Sequence, residues 1–88
     1  MFAKKNRITS AEFKTLGHPI RTENHPGYTL RFYHLKDAVA PKCAVVVSKK
    51  TARSAVARNR IRRRLAAELT QRILALSGGM AVVAYAKA

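Results

Sequence analysis

The sequence predicts a small α+β fold, a two-layer sandwich in which a mixed β-sheet carries a long basic helix after its central strand. Three observations predict it. Tyr28, Leu30 and Phe32 alternate with Thr29, Arg31 and Tyr33, the period of a strand. Cys43 to Val47 is a near-continuous apolar run, as expected of a central strand covered on both faces. Ile61, Leu65, Leu69, Ile73 and Leu76 fall on one arc at helical spacing.

Taken in order, residues 1–8 read as a basic tail, with Lys4, Lys5 and Arg7. Thr9 or Ser10 offers an N-cap to a short helix with Glu12 in its first turn. Phe13 and Leu16 are its expected buried positions, and Gly17 ends it. The Gly17 to Gly27 segment, with Pro19 and Pro26, reads mostly as loop, with at most a very short strand at Ile20 and Arg21. Tyr28 to Leu35 is the first clear strand, 36–41 a turn, and Lys42 to Ser48 the second strand. A basic connection, Lys49 to Ser54, leads into a helix from Ala55 to about Leu76, stopped by Gly78 and Gly79. Met80 to Tyr85 is a buried last strand, expected to pair in parallel with an earlier one because a helix separates them.

One domain, 1–88, accounts for the whole chain, with neither repeat nor low-complexity tract. Its charge is lopsided: 18 Lys and Arg against 4 Asp and Glu, a formal +14. Such an excess repels itself in a compact fold and points to a polyanionic partner, nucleic acid before anionic membrane. No apolar stretch is long enough to span a bilayer, and the basic N-terminus lacks the apolar run of a secretory signal, so the cytoplasm is the expected compartment. A membrane-surface helix is disfavoured because its polar side is densely cationic and no Trp or Phe marks an insertion face. Cys43, the single cysteine, excludes an intrachain disulfide and reads as a buried thiol.

An active site within the chain is not expected. Glu12, Glu23, Asp37 and Glu68 are scattered and offer no carboxylate pair. His18 and His25 each precede a proline in one loop, but no second cysteine supports a zinc site with them or with His34. The informative constellation is basic instead. Lys49, Lys50, Arg53, Arg58, Arg60, Arg62, Arg63 and Arg64 lie in 49–64 without an acid. With Ile61, Leu65 and Leu69 facing the core, Asn59, Arg60 and Arg63 project away and Arg64 sits at the edge. Guanidinium groups on a rigid helix can each fork two hydrogen bonds onto a phosphate at low ordering cost. A DNA-binding module fits less well, because no dimer element accompanies the helix.

The stretch Val45 to Leu65, VVVSKKTARSAVARNRIRRRL, resembles the signature of the ribonuclease P protein family. Its parts are an apolar strand ending in Ser48-Lys49-Lys50, a short basic connection, and then Arg58-Asn59-Arg60-Ile61-Arg62-Arg63. KKNRI at Lys4 to Ile8, LRFYHL at Leu30 to Leu35 and MAVVAYAK at Met80 to Lys87 extend the likeness over nearly the whole chain. The resemblance implies a ribosomal protein S5 domain 2-like fold with the C-terminal helix missing and a left-handed crossover. It implies that Lys49, Lys50, Arg53, Arg58, Asn59, Arg60, Arg62 and Arg63 bind the catalytic RNA of ribonuclease P, and Arg64 joins them by its place at the edge of the exposed side. A cleft with Phe13 and Tyr33 would take the 5′ leader of precursor tRNA. Arg31 joins it by strand alternation, since a cation beside an aromatic is a workable single-strand platform. The chain would then be a non-catalytic subunit of a ribonucleoprotein endonuclease. Mg²⁺ would be held mainly by the RNA, Asn59 touching it at most through water, and no stable protein partner is expected. The alternative is a structural RNA-binding protein, such as a small ribosomal protein, with no part in cleavage.

Overall fold

The computed structural model describes residues 6–36, 38–73, 75–76 and 78–87; Lys4, Lys5 and Asp37, named above, lie outside them. The elements run α1 (Ser10–Lys14), β1 (Arg21–His25), β2 (Tyr28–His34), β3 (Lys42–Val46), α2 (Ala55–Ile73) and β4 (Met80–Ala86). The sheet order is β1-β2-β4-β3, antiparallel except for the parallel β3–β4 pair. This is the expected α+β fold with a long helix and a mixed sheet.

Thr9 caps α1. Its hydroxyl accepts from the Glu12 amide and the Glu12 carboxylate accepts from the Thr9 amide, a reciprocal capping box. The helix has only five residues, too short to present two buried positions. Leu16, just beyond it, enters the core, whereas Phe13 stays 37% exposed, contrary to the expected burial. The basic tail is also less free than its composition suggested. Arg7 bridges to Cys43, the Ile8 amide donates to the Cys43 carbonyl, and Ile8 is buried.

The expected 17–27 loop is instead half strand. Arg21–His25 pairs along its length with Tyr28–Phe32. Pro26 and Gly27 make the turn, Gly27 taking a φ of 86° as the second central residue of a type II turn requires. The polar composition of β1 concealed it, because an edge strand needs a backbone partner more than apolar side chains.

β2 and β4 are the two inner strands, and Ala81 to Ala84 of β4 are buried on both faces. β3, expected in the centre, is last in the order, and the bridge from Arg7 supplies its second neighbour. Its apolar run follows from cover on both faces rather than from a central place. On one face Leu30, Phe32, Cys43, Val82 and Ala84 pack with Leu65 and Leu69 of α2. On the other, Tyr33, Ala81 and Val83 pack with Ile8, Leu16, Leu35 and Ala38. Burial pushes the Cys43 thiol up to about 12, and its Sγ donates to the Asn6 carbonyl. Gly78 passes so close to the backbone of Val39 that a side chain there would collide with it.

Two carboxylates tie elements together across the sequence. Lys42 on β3 donates to both carboxylate oxygens of Glu12. Glu23 on β1 gathers Arg21 at 2.7 Å, His25 at 3.0 Å and Arg72 of α2. Arg21 and Arg72 also lie over the Phe32 ring, at 5.6 and 5.9 Å.

Two outcomes are expected. Leu69 is fully buried between α2 and the sheet, so Leu69→Ala should cost about 2–5 kcal/mol in urea unfolding. Both glutamates are held below their ordinary value of 4.5, Glu12 chiefly by its hydrogen bond from Lys42 and Glu23 chiefly by that from His25. A depressed carboxyl contributes stability that is present above its unfolded value and lost as pH falls through its folded one. The urea midpoint should therefore drop as pH is lowered below 4.5, and the drop should shrink in a Glu12→Gln/Glu23→Gln protein.

Candidate nucleic-acid interface

The strand-to-helix connection is an ordered turn. The Ser48 carbonyl accepts from the Thr51 and Ala52 amides, and the Ser48 and Thr51 hydroxyls lie 3.1 Å apart. Thr51 Oγ1 also donates to the Ala86 carbonyl, which fastens the turn to β4. Lys49 and Lys50 are exposed on this anchored turn. Ser54 then caps α2, its Oγ accepting from the Ala57 amide at 3.0 Å.

Along α2, Leu65, Ala66 and Leu69 are buried, with Ile61 and Ile73 packed beside them. Asn59, Arg60, Arg63 and Arg64 are exposed, as the helical spacing predicts, and Arg53 is exposed in the connection. Arg58 and Arg62 are only half exposed. The burial of Ala66, which the large apolar residues did not announce, turns the core-facing arc toward Arg62. Arg58 has a structural engagement: Nη1 donates to the carbonyls of Ala52 at 3.1 Å and Arg53 at 2.8 Å. It clamps the connection against the first turn of the helix.

The electrostatics of this end are one-sided. No acidic residue lies in the first turn of α2. The helix dipole adds about half a positive charge where the arginines already cluster. An anion placed there meets side-chain donors, exposed lysines and the favourable end of the dipole together.

On the sheet face opposite α2, the aromatic side chains lie differently from the expectation. Tyr33, expected on an open face, is only 4% exposed, because Ile8, Leu16 and Leu35 close over it. Arg31 is exposed, and its guanidinium lies 5.0 Å from the centroid of the Tyr85 ring. Burial, and then a hydrogen bond with the Tyr33 side chain, push the Tyr85 hydroxyl up to about 12. Tyr85 is the aromatic that sequence reasoning missed; its alternation with Ala81 and Val83 along β4 was the available signal. Phe13 belongs to a different depression, lined by Ile8, Thr9, Ser10 and Lys14. Arg31 thus meets Tyr85, and Phe13 lines a depression whose described lining includes neither Arg31 nor Tyr33.

The Ribonuclease P family model matches residues 2–88. The chain belongs to the ribonuclease P family. It is a protein subunit of that tRNA-processing endoribonuclease, and the ribonuclease P RNA is its partner. No curated relative matches it. Among the described residues of this ribonuclease P protein, no three His, Cys, Asp or Glu side chains come together to hold a metal ion. Asn59, exposed on α2, offers a hard cation one oxygen where several are needed. No described helix is long and apolar enough to cross a membrane.

Arg58 and Arg60 should separate in their effects on folding. Arg58→Ala removes two hydrogen bonds from a charged donor and should lower stability by about 1 kcal/mol, with faster amide exchange at the Ser48–Ser54 turn. Arg60→Ala, on the exposed side, should stay within about 0.5 kcal/mol of the parent. Urea unfolding and hydrogen exchange of the two variants measure the difference.

Proposed function

We propose that this subunit grips the catalytic RNA through the N-terminal half of α2 and the connection before it, and receives the 5′ leader of precursor tRNA on the opposite sheet face. The observation that carries the reading is the rigid presentation of Lys49, Lys50, Arg53, Asn59, Arg60, Arg63 and Arg64 on a tied turn and a core-anchored helix. Because the scaffold is already ordered, few rotamers are left to freeze when phosphates bind. Arg58 and Arg62 contribute charge from half-buried positions, and Arg58 also fixes the shape of the turn.

On the leader side, Arg31 over Tyr85 is the platform for an unstacked base and its phosphate. Tyr33 supports Tyr85 from below rather than touching RNA, and Phe13 is a separate exposed aromatic that a longer leader would reach. The protein adds counter-charge and substrate contacts. The Mg²⁺ ions needed for phosphodiester cleavage are held by RNA phosphates, with Asn59 contributing no more than a contact to a metal-bound water. The cytoplasm is the compartment in which such a subunit meets precursor tRNA.

The test is 5′-leader cleavage of a precursor tRNA by a ribonuclease P RNA at Mg²⁺ too low for the RNA alone. The protein should restore cleavage. Arg60→Ala/Arg63→Ala should weaken that rescue and reduce the slope of log affinity against log salt by about 0.7–0.9 for each phosphate no longer neutralised. Arg31→Ala should leave binding to the catalytic RNA intact while lowering the preference for precursor over mature tRNA. Rescue that is indifferent to Arg60 and Arg63 would overturn the placement of the RNA on α2.

A further inference from the structure

Behind the cationic end of α2 lies a pocket that shares only Arg64 with the RNA contacts proposed above. It has a volume of about 240 Å³ and opens between α2 and the β1–β2 turn, lined by Gly27, Tyr28, Ile61, Arg64, Glu68 and Lys87 among others. That is below the roughly 300–1,000 Å³ of sites that enclose a drug-sized molecule, and it suits a single planar group. Its walls are pre-set. Tyr28 is stacked on His25 with ring centroids 4.9 Å apart and planes 15° apart. The Lys87 amide donates to the Gly27 carbonyl, and its ammonium to the His25 carbonyl.

Glu68 is the feature to be explained. The other described acids are committed, Glu12 to Lys42 and Glu23 to Arg21, His25 and Arg72. Glu68 lines a pocket together with Arg64 and Lys87, yet among the described residues it makes no ion pair with either. In a chain of net charge +14 built to meet a polyanion, a carboxylate there opposes phosphate. What it can favour is a hydrogen-bond donor: the base of a nucleotide whose phosphates lie on the neighbouring cations.

We propose that this pocket takes one nucleobase extruded from the RNA gripped by α2, and that Glu68 selects guanine. The Watson–Crick edge of guanine carries adjacent N1–H and N2–H donors that fit both oxygens of one carboxylate. Uracil offers a single N–H flanked by carbonyl acceptors, which would face the carboxylate unfavourably. Tyr28 and Ile61 supply the apolar wall, and Arg64 and Lys87 flank the mouth where the sugar and phosphates emerge. This inference rests on the reading of α2 as the RNA-gripping helix, and it adds a base preference that phosphate contacts cannot provide.

The experiment titrates the full chain with five-nucleotide RNAs of uridine carrying one central guanosine, adenosine, cytidine or uridine, following backbone amide shifts. The guanosine oligomer should bind about tenfold tighter than all-uridine RNA, with shifts concentrated at Gly27, Tyr28, Glu68 and Lys87. Glu68→Gln preserves shape but turns one acceptor into a donor. It should erase the guanosine preference while leaving all-uridine binding unchanged or slightly tighter. An undiminished preference in Glu68→Gln, or guanosine-specific shifts centred on Arg31 and Tyr85, would overturn the proposal. Normal rescue of cleavage without any base preference would refute the pocket and leave the subunit reading intact. A Glu68-dependent preference without rescue would do the reverse.

Discussion

Parallel pairing of β3 with β4 obliges the chain to cross over the sheet between them, and α2 is that crossover. A helix in that place must bury one arc against the two strands it joins. Leu65 and Leu69 meet Cys43, Val82 and Ala84, and Leu69 retains no exposed surface. Once those side chains have packed, the helix cannot rotate. Asn59, Arg60 and Arg63 are turned outward as a consequence, and the Ser48–Ser54 turn is drawn tight by its bonds to β4 and to Arg58. The cationic edge is thus a by-product of how the core closes.

Charge is divided between fold and partner. Glu12 and Glu23 are used as ties, one between the N-terminal helix and β3, the other between the edge hairpin and the far end of α2. They sit away from the N-terminal half of α2, where cations accumulate without an acid and where the helix dipole raises the local potential further. Such an arrangement is unfavourable for an isolated helix, since like charges repel along it. It is tolerable because packing and not propensity holds the helix, and a polyanionic partner at this end would relieve it, as proposed above. Family membership and electrostatics therefore agree on the kind of partner, having been reached by separate routes.

Side chains with strong periodicity were readable in advance. The arc of α2, the alternation of β2, the parallel last strand, the buried thiol and the outward set of Asn59, Arg60 and Arg63 all follow from spacing alone. The unreadable features are those in which one segment depends on another. β1 is polar and reads as loop, yet it is a strand because β2 offers it a backbone edge. Tyr33 occupies the position that alternation assigns, but Ile8 and Leu16, far away in the sequence, decide that it is covered. Phe13 has the composition of a core residue and is exposed, because its helix ends within about a turn and a half.

The sequence by itself therefore determined the class of the fold, the helix that carries the arginines, the sign and place of its charge, and the family. These are properties of local spacing and composition, which every residue expresses through its own neighbours. Tertiary structure alone decided the strand order with β4 inside, the meeting of Arg31 with Tyr85, and the pocket that sets Glu68 beside Tyr28 and Lys87. Each joins residues distant in the chain, and which of them meet is selected by the burial of two cores at once, a condition that no local pattern encodes.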